Sequence, residues 1–343
     1  MTVIASHKKI NFLEKLVRNN HTVDFIPLTE DQLRQTIDAE SSFSAMEQAR
    51  RAASEVRGSM FWREDRGRTY LVRANTAARQ TRLGLRTPDT EAMHARFTER
   101  KHQLESRLAD LKDTVARHER LNRALRVGRC PAILVAVLQR FEHYGLSPHL
   151  LTVGTHALYA FEAAAGVRIA PQALATQDVD VLFDTRQRVT FFSRLEEADM
   201  SFIDILRKAD KTFEIRPDQL QTAVNAQGFE VDVIRRDAKD EDPHPLRMSH
   251  KDEDLWAVQV SSGSRMLSAE RFSQVVVASN GAMARMNTVS PAAFVKLKRT
   301  LSTSRTRDPL KKSKDALQAD IVQHLMDEFM IGARVPPPIA PST

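Results

Sequence analysis

The sequence predicts an α+β fold in which a mixed sheet is flanked by helical N-terminal and C-terminal regions. Three observations carry that expectation. Two short β-branched runs, Asp178 to Phe183 and Phe229 to Ile234, read as buried strands that carry carboxylates. The stretch from Thr90 to Arg126 spaces apolar residues at threes and fours, as a long helix does. Near the C-terminus, Ser290-Pro291 and Asp308-Pro309 each put proline at the first position of a helix.

Taken in order, Glu47 to Val56 reads as helix, and Ser59 to Arg73 as a β-hairpin turning at Asp65-Arg66-Gly67. In the long helix, Phe97, Leu104, Leu108, Leu111 and Val115 form a narrow apolar stripe suited to a helical hairpin or coiled coil. Arg117, Arg120, Arg123, Arg126 and Arg129 then recur every third residue with only Glu119 opposing them. On a helix that is a slowly winding basic stripe, a track for RNA phosphates or a solvated face. Residues from His156 to Ala165 read as helix, followed by the two acidic strands and a polar boundary loop at Arg236 to Pro245. Leu255 to Val260 and Ser273 to Ser279 read as strands, and Asn280-Gly281 is a two-residue turn into Ala282 to Thr288. These last strands are expected to extend the sheet. The predicted domains are residues 1–129, 130–288 and 289–332, with a disordered, proline-rich tail at 333–343.

Side chains two apart on a strand point the same way, so Asp178 and Asp180 project together, as do Glu230 and Asp232. If the strands are neighbours, three or four carboxylates converge, a self-repelling cluster that a hard cation such as Mg²⁺ or Mn²⁺ would relieve. Asp232, tightly flanked by apolar residues, is the favoured third ligand, with Glu230 open as the other. Gly154-Thr155 precedes a helix, where free N–H groups and the positive end of the dipole favour an anion. His156 and His324 read as packing or surface residues.

At Gly154-Thr155, Asp178-Val179-Asp180-Val181 and Val231-Asp232-Val233 the sequence resembles the DNA polymerase β-type nucleotidyltransferase superfamily. Here 22 residues (156–177) separate the Gly-small pair from the first Asp, about twice the minimal family pattern. A second block, Lys296 and Lys298 on one helix, then Arg307, then Lys314-Asp315, is similar to the distal motifs of abortive-infection and toxin-type bacterial nucleotidyltransferases. Gln318 stands where that family's Lys-Asp-x-x-Asp run ends in an acid. The resemblance covers roughly residues 130–330 and implies a polymerase-β-like palm that works by two-metal phosphoryl transfer. Asp178, Asp180 and Asp232 would hold Mg²⁺ (or Mn²⁺), and pyrophosphate would leave. Gly154, Thr155, Thr176, Lys296, Arg307, Lys314 and Asp315 would form the nucleotide site, with Lys296 and Arg307 as leading cations.

Length and composition set the remaining expectations. At 343 residues the chain is expected to hold two or three units. A single cysteine, Cys130, excludes a disulfide framework and disfavours a thiolate metal site. No apolar run reaches membrane-spanning length and Met1 to Leu16 lacks the apolar core of a signal peptide, so a cytoplasmic location is expected. A net charge of +7 favours anionic partners: an NTP and a nucleic acid. The expected acceptor is an RNA, particularly tRNA, 3′ hydroxyl, with Arg117, Arg120, Arg123 and Arg126 as its contacts. A protein hydroxyl is the alternative, and a catalytically silent binding or scaffold protein of the same fold the competitor from another class. Oligomeric state does not follow from the sequence.

Overall fold

The computed structural model describes residues 25–75, 79–239, 242–329 and 331. They fall into two units, Glu30–Gly128 with Asn280–Ala282, and the remaining residues. The proline-rich tail lies outside the described residues, as does part of the predicted boundary loop.

The first unit is a helical pair and a small sheet. Helix α1 (Glu30–Glu55) packs along α2 (Pro88–Ala124), with a three-stranded antiparallel sheet of β1 (Ser59–Asp65), β2 (Arg68–Ala74) and β3 (Gln80–Leu85) between them in sequence. Thr87 and Thr90 form a capping box at the start of α2, with Pro88 in the first turn. The hairpin turns at Arg66 and Gly67, both in the left-handed region, as predicted. Two boundaries differ from expectation. Helix α1 begins 17 residues before Glu47, because its buried face includes Gln35 and Glu47 and so lacks an unbroken apolar period. Gln35 donates from Nε2 to Asn122 Oδ1 of α2 at 2.8 Å, which satisfies the buried amide. Helix α2 ends at Ala124, so Arg126, at φ +53, lies past it and off the predicted stripe.

The second unit is built on a seven-stranded mixed sheet. Its strands are β4 (Leu150–Val153), β5 (Asp178–Phe183), β6 (Glu214–Arg216), β7 (Gln219–Val224), β8 (Glu230–Arg236), β9 (Leu246–Arg247) and β10 (Trp256–Val260). The main order is β9-β10-β8-β5-β4, and β7 also pairs with β8 and carries β6. The β5–β8 and β8–β10 pairs are parallel, the others antiparallel. On one face of the sheet Phe183 meets Phe191 of α5 (Arg188–Glu197) at 4.6 Å, and Phe191 meets Phe202 of α6 (Phe202–Arg207). Phe202 stacks in turn on Phe141 of α3 (Ala132–His143). Each such buried ring contributes roughly 2 kcal/mol, and together they leave the acidic ends of the strands no freedom to slip register.

Helix α4 (Leu158–Ala165) is closed by Gly166 at φ +66. The extra length between the Gly-small pair and the first acid then forms a two-residue ladder, Val167–Arg168 with Ile26–Pro27, and a turn of helix at Pro171–Leu174. The short helix α7 (Gly263–Ser268) leads to β11 (Arg271–Val277) and β12 (Met283–Val289), which make a separate two-stranded sheet. They were expected to extend the main sheet; instead β12 packs on β4 without joining its ladder. Helices α8 (Pro291–Thr303) and α9 (Pro309–Phe329) complete the unit and pack on each other. Ser290 Oγ caps the first, and Asp308 Oδ1 accepts from Leu310 N and Lys311 N at the start of the second.

Candidate active site

The parallel β5–β8 register pairs Asp178 with Glu230 and Asp180 with Asp232. Residues paired this way share a face, so four carboxylates project together from two adjacent strands. Asp180 also lies opposite Val153 of β4, and the chain turns away at the next residue. That residue is Gly154, at φ +66, where a Cβ would stand 2.3 Å from Asp180 Oδ2. Any other residue there would be strained in its backbone and would have to push the Asp180 carboxylate aside. The carboxylates lean to hydroxyl donors on their own flanks: Thr176 donates to Asp178, and Thr222 of β7 donates to Asp232 Oδ1. Glu230 is committed to Arg216, whose Nη1 donates to it at 2.8 Å.

Burial, followed by repulsion from Asp178 and Asp232, pushes the Asp180 carboxyl up to about 6, against the pull of Lys298 and Arg307. Asp232 is likewise raised, first by burial, with the Thr222 hydrogen bond opposing. Among the described residues no three of His, Cys, Asp and Glu are drawn close enough to enclose an ion as they stand. The acids share a face, with Asp178 and Asp232 each hydrogen-bonded to a threonine on its own flank.

Cations reach this face from α8, α9 and the connection between them. Lys298 is buried and donates to Asp315 Oδ1 at 2.7 Å, while Arg307 Nε donates to Asp315 Oδ2 at 2.9 Å. Burial lowers the Lys298 ammonium, and Asp315 offsets it. Asp315 is thus a support for two cations. Lys296, expected together with Arg307 to be a leading cation, is exposed. Two residues along a helix rotate the side chain by about 200°, so Lys296 faces a groove with Arg299, Thr300, Thr303 and Gln323, and Lys298 takes the inner place. Lys314 Nζ donates to Ala175 O at 2.7 Å, next to Thr176. Gln318 is fully buried and donates to Thr155 Oγ1 at 3.1 Å and Ala173 O at 2.7 Å. It ties α9 to the Gly154-Thr155 turn, a task that an amide performs and an acid would not. Residues 291–314 hold eight Lys and Arg and one acid.

A nucleotidyltransferase family model matches residues 133–333. The chain belongs to this nucleotidyltransferase family. The nucleotidyltransferase is therefore a transferase of nucleoside monophosphates, and the match takes in every acid and cation just described. No curated protein and no solved structure matches the chain.

Three further residues of the candidate site carry no motif that assigns them a role. Thr222 and Arg216 sit on strands with no motif of their own, and only the β7–β8 pairing connects them to Asp232 and Glu230. Gln318 is visible in sequence only as the position where an acid is missing. His156 is buried, as the packing reading expects, with its ring edge-on to Phe229 at 5.8 Å. Burial lowers its pKa to about 4, so it is neutral at pH 7. Arg117, Arg120 and Arg123 are exposed on α2, outside the matched span, and Arg129 is instead paired with Glu162. Among the described residues no helix is long and apolar enough to cross a membrane.

Proposed function

We propose that this nucleotidyltransferase moves a nucleoside monophosphate from an NTP to an acceptor hydroxyl on a polymerase-β-like palm. The observation that carries the reading is the in-register pairing of Asp180 with Asp232, with Asp178 on the same face and Gly154 against Asp180. Three carboxylates on two strands are an all-oxygen donor set. Burial first, and then repulsion from Asp178 and Asp232, pushes the Asp180 carboxyl up, and a hard divalent ion among these oxygens would offset both, so the donor set suits such an ion. Asp178, Asp180 and Asp232 would hold Mg²⁺ or Mn²⁺; bound there, the ion supplies Lewis-acid polarisation and neutralises phosphate oxygens. The commitment of Glu230 to Arg216 supports Asp232 as the third ligand.

The remaining tasks fall to the chain's own groups. The Gly154 and Thr155 amides, at the mouth of α4, orient the triphosphate, with Thr176 and Lys314 beside them. Lys298 and Arg307, held by Asp315, offset the charge that grows on the leaving pyrophosphate. Asp232 Oδ2, the oxygen not bonded by Thr222, accepts the proton of the attacking hydroxyl. The acceptor favoured here is an RNA 3′ hydroxyl, with tRNA foremost. The net charge of +7 and the exposed Arg117, Arg120 and Arg123 support an anionic acceptor.

The test is incubation of the purified chain with Mg²⁺, each α-labelled NTP and total RNA or cell extract, beside the Asp178→Ala/Asp180→Ala variant. Label in RNA that disappears with the aspartates is the expected result. Aspartate-dependent label in protein would replace RNA by a protein hydroxyl as the acceptor, and no aspartate-dependent label would refute transfer.

A further inference from the structure

The small sheet of the first unit has a partly open face, with Val72 buried at its centre, whose chemistry the transfer site does not use. Its registers put Arg63 and Leu85 opposite Tyr70, and Phe61 and Arg82 opposite Val72. Opposed residues in antiparallel strands share a face, so Phe61, Arg63, Arg68, Tyr70 and Arg82 lie on one side. The other side is packed on α2, where Trp62 meets His94 at 5.6 Å and Arg73 lies 4.2 Å over Phe97. On the open side the Arg82 guanidinium sits 3.9 Å over the Tyr70 ring, and Arg63 lies 5.5 Å over Phe61. All three of Arg63, Arg68 and Arg82 are exposed, and both rings are partly so.

The composition is as pointed as the geometry. Residues 57–86 contain eight arginines, no lysine and two carboxylates. One of these, Asp65, accepts from Arg82 Nη2 at 2.8 Å and ties down the guanidinium that lies over Tyr70. Among the described residues Arg63 and Arg68 make no ion pair. Solubility or simple attraction to anions would be served by lysine as well as by arginine. A planar guanidinium fixed on an aromatic ring has a second flat surface, on which a base can stack while its neighbours take phosphates.

We propose that this face binds single-stranded RNA, with a base stacked on the Arg82–Tyr70 pair and backbone phosphates on Arg63 and Arg68. The site lies outside the matched residues 133–333 and goes beyond the transfer reading. It would hold an RNA whether or not that RNA is the acceptor.

The test uses the full chain carrying Asp180→Asn, so that binding is read without transfer and its outcome leaves the transfer reading untouched. Anisotropy of a labelled single-stranded RNA of mixed sequence is followed across a salt titration. Arg63→Gln/Arg68→Gln/Arg82→Gln should weaken binding by about tenfold or more and lower the salt slope by about 1.4, at roughly 0.7 for each of the two lost phosphate contacts. Arg63→Lys/Arg68→Lys/Arg82→Lys keeps the charge and should keep the slope while losing several-fold in affinity, and it carries the test if the glutamine variant does not fold. Unchanged affinity and slope in the glutamine variant would overturn the proposal, as would full affinity in the lysine variant. Preference for phosphatidylserine vesicles or polyglutamate over RNA would overturn it as well.

Discussion

Replacing Asp180 by Asn removes a charge that folding places among like charges. The carboxyl rises from 3.8 to about 6, first by burial and then through Asp178 and Asp232. A group raised on folding favours the folded state only while it is protonated. That contribution is complete below about pH 4 and is lost as the pH rises through about 6. At pH 7 the ionised carboxylate therefore opposes folding by roughly 3 kcal/mol, taking 1.36 kcal/mol for each tenfold change in proton affinity. For a unit of this size about 1 kcal/mol moves Tm by roughly 2–4 °C, so Asp180→Asn should melt roughly 6–12 °C above the parent chain at pH 7. The advantage should vanish near pH 4, where the parent carboxyl is neutral too. Thermal unfolding followed by circular dichroism from pH 4 to pH 8, in EDTA, reads this directly. Nucleotide transfer in the same variant should fall to background at every pH. A variant that melts at or below the parent at pH 7 would refute the repulsive cluster, and one that still transfers would refute its role.

The other expectations are narrower. Asp315→Ala leaves the buried Lys298 ammonium without its partner and should cost about 3–5 kcal/mol in denaturant unfolding. Lys298→Met/Asp315→Leu should recover much of that stability and still not transfer, which separates support of the fold from support of the site. Gly154→Ala should lose turnover and about 1–2 kcal/mol, while Gly67→Ala, at a similar φ of +71 with nothing within 4 Å, should lose only the stability. Equal turnover in the two glycine variants would dismiss the close approach to Asp180. Arg117→Gln/Arg120→Gln/Arg123→Gln should lower RNA affinity and flatten its salt dependence with no change in Tm, checked by anisotropy and calorimetry. Unchanged affinity would leave this stripe a solvated face.

The acidic strands were legible because charge inside a β-branched run has few structural explanations, and a period of two fixes which acids share a face. The hairpin at Gly67 and the proline starts of α8 and α9 were legible for similar local reasons. What could not be read depends on tertiary pairing. Strand β3 is polar and almost wholly exposed, so it has no alternation to betray it. The exchange of Lys296 for Lys298 is a matter of helix phase, set by how α8 seats Phe294 and Val295 in the core. Gln318 and Thr222 act through bonds to residues 163 and 10 positions away, which no local pattern contains. The strands β11 and β12 were recognised, but their separation from the main sheet rests on packing against β4 that the sequence does not encode locally.

The central claim is that Asp178, Asp180 and Asp232 form one nucleotide site with the Gly154 turn and the Lys298–Asp315–Arg307 group. Isothermal titration of a non-hydrolysable NTP analogue into the chain, with and without Mg²⁺, tests it most directly. Binding should be tight and require Mg²⁺ in the parent chain, and should be lost in Asp178→Asn/Asp232→Asn with the fold of that variant intact. Binding of equal strength without Mg²⁺, or binding that survives the loss of both acids, would contradict it.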